Sequence, residues 1–196
     1  MKQQRVILIA GMPGAGKTTL VKELQAMFPQ TVAISIDLIQ ESLYDSLGFI
    51  SPNERRRLRV AAFKIALDEA VEYMKQGLIP LLEYPFGNRH KEALIKYFEN
   101  MKILTLRLDL PIETAYQRFH QRDLSGERHP GHYFLSYPPK DGDKPRYQPF
   151  VEFKQAMDTS DTPGFELGDT LKISATDFPL LLPVKQIQSF LDNDDV

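Results

Sequence analysis

The sequence predicts an α/β fold: a three-layer sandwich with helices on both faces of a five-stranded, mostly parallel sheet, and with a lid segment. Two observations favour it. Apolar strand-like runs alternate with amphipathic helical segments along the chain. The first run, residues 6–10, is continuously apolar, which is typical of a strand buried on both faces of a parallel sheet. A glycine-rich turn and a helical segment follow it directly, as in a βα unit.

Helices are marked by apolar residues at helical spacing and by characteristic boundary residues. Ser51-Pro52-Asn53-Glu54 matches a capping box with proline at the first helical position, so a long helix is expected to start there and to stop at Gly77. The pattern predicts its core stripe at Leu58, Ala62, Ile65, Ala66, Glu69 and Tyr73. Other helices are predicted at 17–28, 89–98, Pro111 through Arg122, and 184–191. Residues 38–47 are predicted to form a whole or partial helix.

Four further strands are predicted, at 31–36, 78–83, 102–110 and 171–175. Residues 102–110 alternate, with leucines on one face and Thr105, Arg107 and Asp109 on the other. Pro80 favours the start or the edge of a sheet for its strand. Between Gly126 and Gly168 the chain is rich in proline, glycine and aromatic residues, and it is longer than an ordinary connection. We therefore predict a lid or substrate segment at about 118–168, with one short helix near Phe153.

Composition limits the function classes. The 196 residues, 42% of them hydrophobic, suit one domain spanning 1–196. A net charge of −2 disfavours general nucleic-acid binding, and the absence of cysteine excludes disulfides, thiolate metal sites and thiol nucleophiles. No apolar run has the roughly 18 to 20 residues of a membrane span, and the N-terminal run is too short for a secretory signal. We expect no membrane partner and a cytoplasmic location; the oligomeric state stays open.

The strongest motif is Gly11-Met12-Pro13-Gly14-Ala15-Gly16-Lys17-Thr18, which fits G-x-x-x-x-G-K-[ST] between a buried strand and a helix. Its glycines let backbone N–H groups turn toward phosphate oxygens, and the helix adds the positive end of its dipole. Lys17 is predicted to reach the β- and γ-phosphates, and the Thr18 hydroxyl to bind Mg²⁺. The predicted nucleotide-binding residues are Gly11, Gly14, Ala15, Gly16, Lys17, Thr18 and Thr19, with ATP and Mg²⁺ as cofactors.

Two acids follow strands at the sheet edge that should carry the P-loop. Asp37 is predicted to accept a proton from an acceptor hydroxyl or to hold the magnesium shell, and it is also suited to cap the next helix. Glu83 is predicted to assist magnesium through water or to bind substrate.

Arginines mark the predicted lid. Arg118 and Arg122 lie four residues apart on one helix face, where planar guanidinium groups suit a transferring phosphoryl group, although a solvated surface pair is the alternative. Arg128 is a weaker candidate for the substrate. The chain contains no Asn-Lys-x-Asp guanine-reading segment, and Leu81-Leu82-Glu83 matches the acidic strand of motor ATPases only in part.

The segments Ile7 to Thr19, Ile34-Ser35-Ile36-Asp37, Leu81-Leu82-Glu83 and Pro111 through Arg122 together resemble the P-loop kinases that include polynucleotide kinases, zeta toxins and chloramphenicol phosphotransferases. The resemblance implies that Asp37 activates the acceptor and that Arg118 and Arg122 contact ATP phosphates. It also implies that Ala175 and Thr176 lie near the adenine. The segment after Arg128 matches no substrate pattern of the group.

We therefore predict an ATP-dependent kinase that acts on a hydroxyl of a small molecule, a nucleotide or a nucleic-acid end. The alternative is an ATP-binding switch whose closed lid forms a partner surface.

Three weaker signals remain. The basic cluster Arg55, Arg56, Arg57 and Arg59 is interpreted as a solvated helix face rather than an anion site. His129 and His132 are interpreted as a turn or a substrate contact, because no third metal ligand is evident. The aromatic residues of the lid, Tyr133, Phe134, Tyr137 and Tyr147, are suited equally to stacking a planar substrate and to packing the lid against the body.

Overall fold

A computed structural model describes residues 3–177 and 182–192. Residues 1–2, 178–181 and 193–196 of the predicted domain lie outside the described residues. The strands are β1 (Arg5–Gly11), β2 (Thr31–Ser35), β3 (Ile79–Glu83), β4 (Lys102–Asp109) and β5 (Asp169–Ser174). The helices are α1 (Lys17–Met27), α2 (Ile36–Leu47), α3 (Pro52–Lys75), α4 (Lys91–Tyr97), α5 (Ile112–Leu124), α6 (Phe150–Ser160) and α7 (Val184–Asp192). Short 3-10 helices cover Asn88–His90 and Pro130–His132.

The five strands form one parallel sheet in the order β2-β3-β1-β4-β5. β1 alternates its side chains between two cores: Ile7 and Ile9 pack with residues of α1 and α7, whereas Val6, Leu8 and Ala10 pack with residues of α2, α3 and α4. This two-sided burial explains the continuous apolar run and confirms the predicted α/β sandwich. A third, smaller core joins Met12 to α5 and α6 through Ala115, Phe119 and Phe153.

Several boundaries differ from the predicted ones. α2 begins at Ile36, so Asp37 lies inside its first turn, and β5 begins at Asp169 rather than Leu171. Pro80 is the second residue of β3, which is an interior strand, so the expected strand start is found and the expected edge is not. The short helix predicted near Phe153 is present as α6.

The predicted core stripe of α3 is wrong in its second half. α3 begins as expected, with the Ser51 hydroxyl accepting from the Glu54 amide. Leu67, Ala70 and Met74 are buried, whereas Glu69 is exposed and Tyr73 half-buried. The apolar and small residues of this helix fit more than one face, and packing against β2 and β3 selects the alanine-rich one.

Candidate active site

The turn between β1 and α1 has the backbone geometry of a phosphate cradle. Gly14 and Gly16 take positive φ values of 85° and 88°, which only glycine adopts readily. A Cβ on Gly14 would lie 2.3 Å from the Ala115 carbonyl oxygen, so the loop also packs closely against the backbone of α5. Gly16 caps α1 without a side chain. The N–H groups of the first turn therefore face whatever lies in front of the helix.

Lys17 is buried, and its side chain folds back onto the turn between β1 and α1. Its Nζ donates to the carbonyl oxygens of Gly11 and Met12, each at 3.1 Å. Burial lowers the pKa of Lys17, and the negative charges of Glu83 and Asp37 oppose that shift. The ammonium group therefore lies among backbone carbonyls that phosphate oxygens can replace as acceptors.

The next residue links the turn to a neighbouring strand. The Thr18 hydroxyl donates to Glu83 Oε1 at 2.6 Å, because β3 runs beside β1 and pairs Ile9 with Glu83. Burial is the largest cause that raises the pKa of Glu83. A hydroxyl beside a carboxylate is the hard oxygen donor set that Mg²⁺ prefers, usually completed by water and substrate phosphates. These two residues fit a magnesium ion.

Asp37 lies in the first turn of α2 and lines the same cavity as the glycine-rich turn between β1 and α1. The prediction that it caps this helix is wrong, because the cap is Ser35, whose hydroxyl accepts from the Leu38 amide at 3.4 Å. Within residues 3–177 and 182–192, the Asp37 carboxylate makes no hydrogen bond or ion pair. It is half-buried in the cavity wall, so its oxygens are free to meet a ligand.

One cavity of about 900 Å³ unites these groups, which is near the upper end of the usual range for ligand sites. Most of the residues predicted for the site line it: Gly14, Gly16, Lys17, Thr18, Thr19, Asp37, Glu83, Arg118, Arg122 and Arg128. Gly11 and Ala15 lie behind the loop instead. Ala15 packs in the core, and Gly11 lies against Leu108.

The predicted lid arginines have different surroundings. Arg118 donates to the carbonyl oxygens of Ala175 and Thr176 at 2.8 and 2.7 Å, which ties α5 to the segment after β5. The Arg122 guanidinium is close enough to Lys17 and Glu83 to affect both: it adds to the burial that lowers the pKa of Lys17, and it opposes the burial that raises the pKa of Glu83. Arg128 donates to buried Asp123 at 2.8 Å and lies 4.8 Å from the Phe119 ring centroid. Arg122 is thus the member of the predicted pair with the most direct access to the phosphate end.

Sequence reasoning missed part of the cavity wall. Arg55 and Arg59 of α3 line the cavity. The solvated-face interpretation is wrong for the half-buried Arg55 and holds for the exposed Arg56 and Arg57, whereas Arg59 is exposed and faces the cavity. The spacing of four residues between Arg55 and Arg59 is the signal that they share a helix face.

A buried polar chain was missed as well. Gln40 donates to the Tyr84 hydroxyl at 3.2 Å and accepts from the Tyr44 hydroxyl at 3.4 Å. All three side chains line the same cavity.

The segment after α5 is fastened over α2 by side-chain pairs. His129 lies 3.0 Å from Asp45, and His132 lies 2.9 Å from Glu41. The Tyr137 hydroxyl donates to Asp45 at 2.7 Å, and Tyr137 exchanges two backbone hydrogen bonds of 2.7 Å with Phe49.

The two histidines therefore belong to a turn that packs on α2, and the described residues hold no metal-binding group of three or more His, Cys, Asp or Glu. The aromatic residues predicted for the lid have different surroundings. Tyr133 and Phe134 line the cavity, whereas Tyr137 packs the lid on α2.

Comparison with known proteins gives one family, one curated relative and several solved structures of similar fold. The family described as AAA domain matches residues 7–130. A uridine kinase from Ureaplasma urealyticum serovar 10 is 42% identical over 55 residues, which are 28% of this chain and 26% of that enzyme. The matched part thus spans about a quarter of that relative.

Among solved structures, a proposed kinase from Chloroflexus aurantiacus superposes with a TM-score of 0.73 and 21% identity over 100% of both chains. The shikimate kinase from Bacteroides thetaiotaomicron gives a TM-score of 0.55 and 15% identity over 97% of this chain and 99% of that chain. The shared feature is the fold of kinase-type P-loop NTPases. Among the described helices, none has the length and apolar character to cross a membrane.

Proposed function

Since this chain belongs to the AAA domain family and has the fold of P-loop kinases, we propose that it is an ATP-dependent kinase. It transfers the γ-phosphate of Mg-ATP to a hydroxyl group of a small molecule or a nucleotide. The single observation that supports this most is that the P-loop and the carboxylate of Asp37 line one cavity. A cytoplasmic location, as predicted from the sequence, would supply the ATP.

The donor nucleotide binds at the turn between β1 and α1. The N–H groups of the first turn of α1 and the Lys17 ammonium hold the β- and γ-phosphates. Thr18 and Glu83 are the residues that would hold Mg²⁺, which when bound neutralises charge on the phosphates. Lys17 exchanges its two carbonyl acceptors for phosphate oxygens when the nucleotide binds.

The acceptor hydroxyl lies at Asp37. Its oxygen forms a bond to the γ-phosphorus while the bond from that phosphorus to the β,γ-bridging oxygen breaks, and its proton passes to the Asp37 carboxylate. The products are ADP and a phosphate monoester. Asp37 is suited to this role because no described side chain competes for its oxygens.

The lid helix supplies positive charge where it develops. Arg122 of α5 neutralises charge on the transferring phosphoryl group, since it lies near both Lys17 and Glu83. Arg118 supports the donor side in a different way, by holding the segment after β5 through Ala175 and Thr176. We place the adenine beside that segment.

The test is ADP release across a panel of hydroxyl-bearing metabolites, nucleosides, nucleotides, antibiotics and 5′-hydroxyl oligonucleotides. We expect at least one acceptor to raise ADP release far above the rate without acceptor, with equal amounts of ADP and phosphorylated product. Slow hydrolysis that no acceptor accelerates, together with a protein partner that binds only in the presence of ATP, would instead support a nucleotide-dependent switch.

A further inference from the structure

The cavity has a positively charged end away from the P-loop. Arg55 and Arg59 stand one helical turn apart on α3 and line the cavity, while Arg56 and Arg57, between them in sequence, do not line it. The lining also includes Asp37 from α2 and Tyr84 after β3. A molecule held at the two arginines would therefore share the cavity with Asp37.

These two arginines have only neutral partners in the described part of the chain. Arg55 Nη1 donates to the Phe134 carbonyl oxygen at 3.3 Å, and Arg59 lies near the Tyr84 hydroxyl, which acts to raise the pKa of Arg59. Neither forms an ion pair with a described carboxylate. Arg107 and Arg128, by contrast, each have a carboxylate partner at 2.8 Å or closer.

The placement of the Arg55 cation is costly without a ligand. Arg55 is half-buried, and burial is the largest cause that lowers its pKa. Arg59 is exposed within the cavity; burial acts to lower its pKa, but Tyr84, Tyr44 and Asp37 raise it on balance. Arg55 lies at the end of the first turn of α3, where the helix dipole disfavours positive charge. Guanidinium groups without an ion-paired carboxylate favour binding of an anion that accepts several hydrogen bonds.

We infer that the acceptor is a small phosphate ester whose phosphate group binds Arg55 and Arg59 while its free hydroxyl lies at Asp37. This inference rests on the proposed kinase function. Two guanidinium forks offer more donors than one carboxylate needs, which favours a phosphate.

The lid favours a small molecule over the end of a polymer. It crosses this end of the cavity, because Phe134 contacts Arg55 and Tyr137 pairs with the backbone of Phe49 at the end of α2. His129 and His132 fasten the same segment to Asp45 and Glu41. We therefore expect this attached segment to hinder a polymer more than a small phosphate ester.

The first test measures the anion site alone. Inorganic phosphate is titrated calorimetrically into protein saturated with Mg·AMPPNP, which occupies the donor site. Arg55→Gln and Arg59→Gln are each expected to weaken phosphate binding about tenfold or more, because each removes charged hydrogen-bond donors. Arg56→Gln and Arg57→Gln are the matched controls from the same helix, and they are expected to bind phosphate as the unaltered protein does. Equal phosphate affinity in all four variants would overturn the inference.

A failure of the proposed function is recognised separately. If Mg·AMPPNP itself does not bind, the kinase proposal fails, and the phosphate titration is repeated in the Lys17→Met variant, whose P-loop is disabled. Phosphate binding that depends on Arg55 and Arg59 in that background still supports the anion site, and its absence contradicts it.

The second test compares matched acceptors in the ADP-release assay: nucleosides against their 5′-monophosphates, sugars against sugar phosphates, hydroxy acids, and 5′-hydroxyl oligonucleotides. We expect the phosphorylated member of a pair to be preferred, and the preference to fall about tenfold in Arg59→Gln. Equal or better turnover of neutral compounds would overturn the inference while leaving the kinase proposal intact. Turnover confined to hydroxy acids or to oligonucleotides would also overturn the inference, and it would identify one of those classes as the acceptor.

Discussion

The donor end of the cavity, residues 11–19, is held by backbone geometry, whereas the lid end, residues 128–137, is held by pairs of side chains. Gly14 fits only because it has no Cβ to meet the Ala115 carbonyl, and the loop grows directly out of the central strand β1. The lid instead depends on His129, His132 and Tyr137, whose partners on α2 lie far away in sequence. The donor end is thus part of the core, while the lid end is attached to α2, to Phe49 after it and to Arg55 of α3. Substitutions at the two ends should therefore differ in size and in kind.

Removing the ammonium group from the donor end should have the largest effect. Lys17→Met is expected to lower kcat/KM by about 10³-fold or more, because charge on the transferred phosphoryl group is no longer neutralised. Initial rates of ADP release measure this. Lys64→Met is the matched control, since Lys64 is an exposed residue that pairs with Asp68, and it should leave the rate unchanged.

Asp37 lies between the two ends, so its substitution should separate binding from transfer. Asp37→Asn is expected to reduce transfer by about 10² to 10⁴-fold while Mg-ATP binds with unchanged affinity, because only proton acceptance is lost. Transfer rates and calorimetry on the same preparation measure the two effects. An Asp37→Asn protein that transfers phosphate at the normal rate would refute the assignment of the base.

Glu83 should make the activity depend on pH and on the concentration of Mg²⁺. Burial raises its pKa, so the carboxylate takes up a proton at a higher pH than an ordinary glutamate. Activity should therefore fall on the acid side at a higher pH than an exposed carboxylate would give, and more Mg²⁺ should be needed as the pH falls.

Glu83→Gln tests this with little change of shape. The amide oxygen of glutamine can still accept from Thr18, but its charge is gone. We expect a lower rate, a higher requirement for Mg²⁺, and loss of the fall in activity that protonation of Glu83 causes at acid pH. If the activity of the variant falls at the same pH as that of the unaltered protein, another group causes the fall.

The lid pairs should give the smallest effects. Glu41→Gln and Asp45→Asn weaken the contacts to His132 and His129, and ion pairs open to solvent contribute little to stability. The double variant is expected to raise the KM of the acceptor several-fold while Mg-ATP affinity stays the same. Steady-state kinetics with each substrate varied in turn measure this. A loss of ATP binding would show that the two ends are not separate.

The difference between the donor end and the lid end also explains which features could be predicted from the sequence. The P-loop, the two-sided burial of β1 and the position of Asp37 after β2 all follow from short, local patterns whose physical meaning does not depend on distant residues. The kinase fold could therefore be predicted together with most of the P-loop residues that line the cavity.

The lid end could not be predicted in the same way. His129 and His132 find their partners on α2 only through the tertiary fold, and no local pattern identifies Glu41 or Asp45. α3 carries residues that suit several faces, so neither its buried stripe through Leu67 nor the inward position of Arg55 was evident. The Arg118 contact to Thr176 likewise joins two segments that only the fold brings together.

The most direct test of the donor end is calorimetric titration of Mg-ATP into the Asp37→Asn protein, in which turnover does not disturb the heat signal. We expect saturable binding of one nucleotide per chain, and loss of that binding when Lys17→Met is added. If neither Mg-ATP nor Mg-GTP bound at millimolar concentration, residues 11–19 would not be a phosphate site and the proposed function would be contradicted.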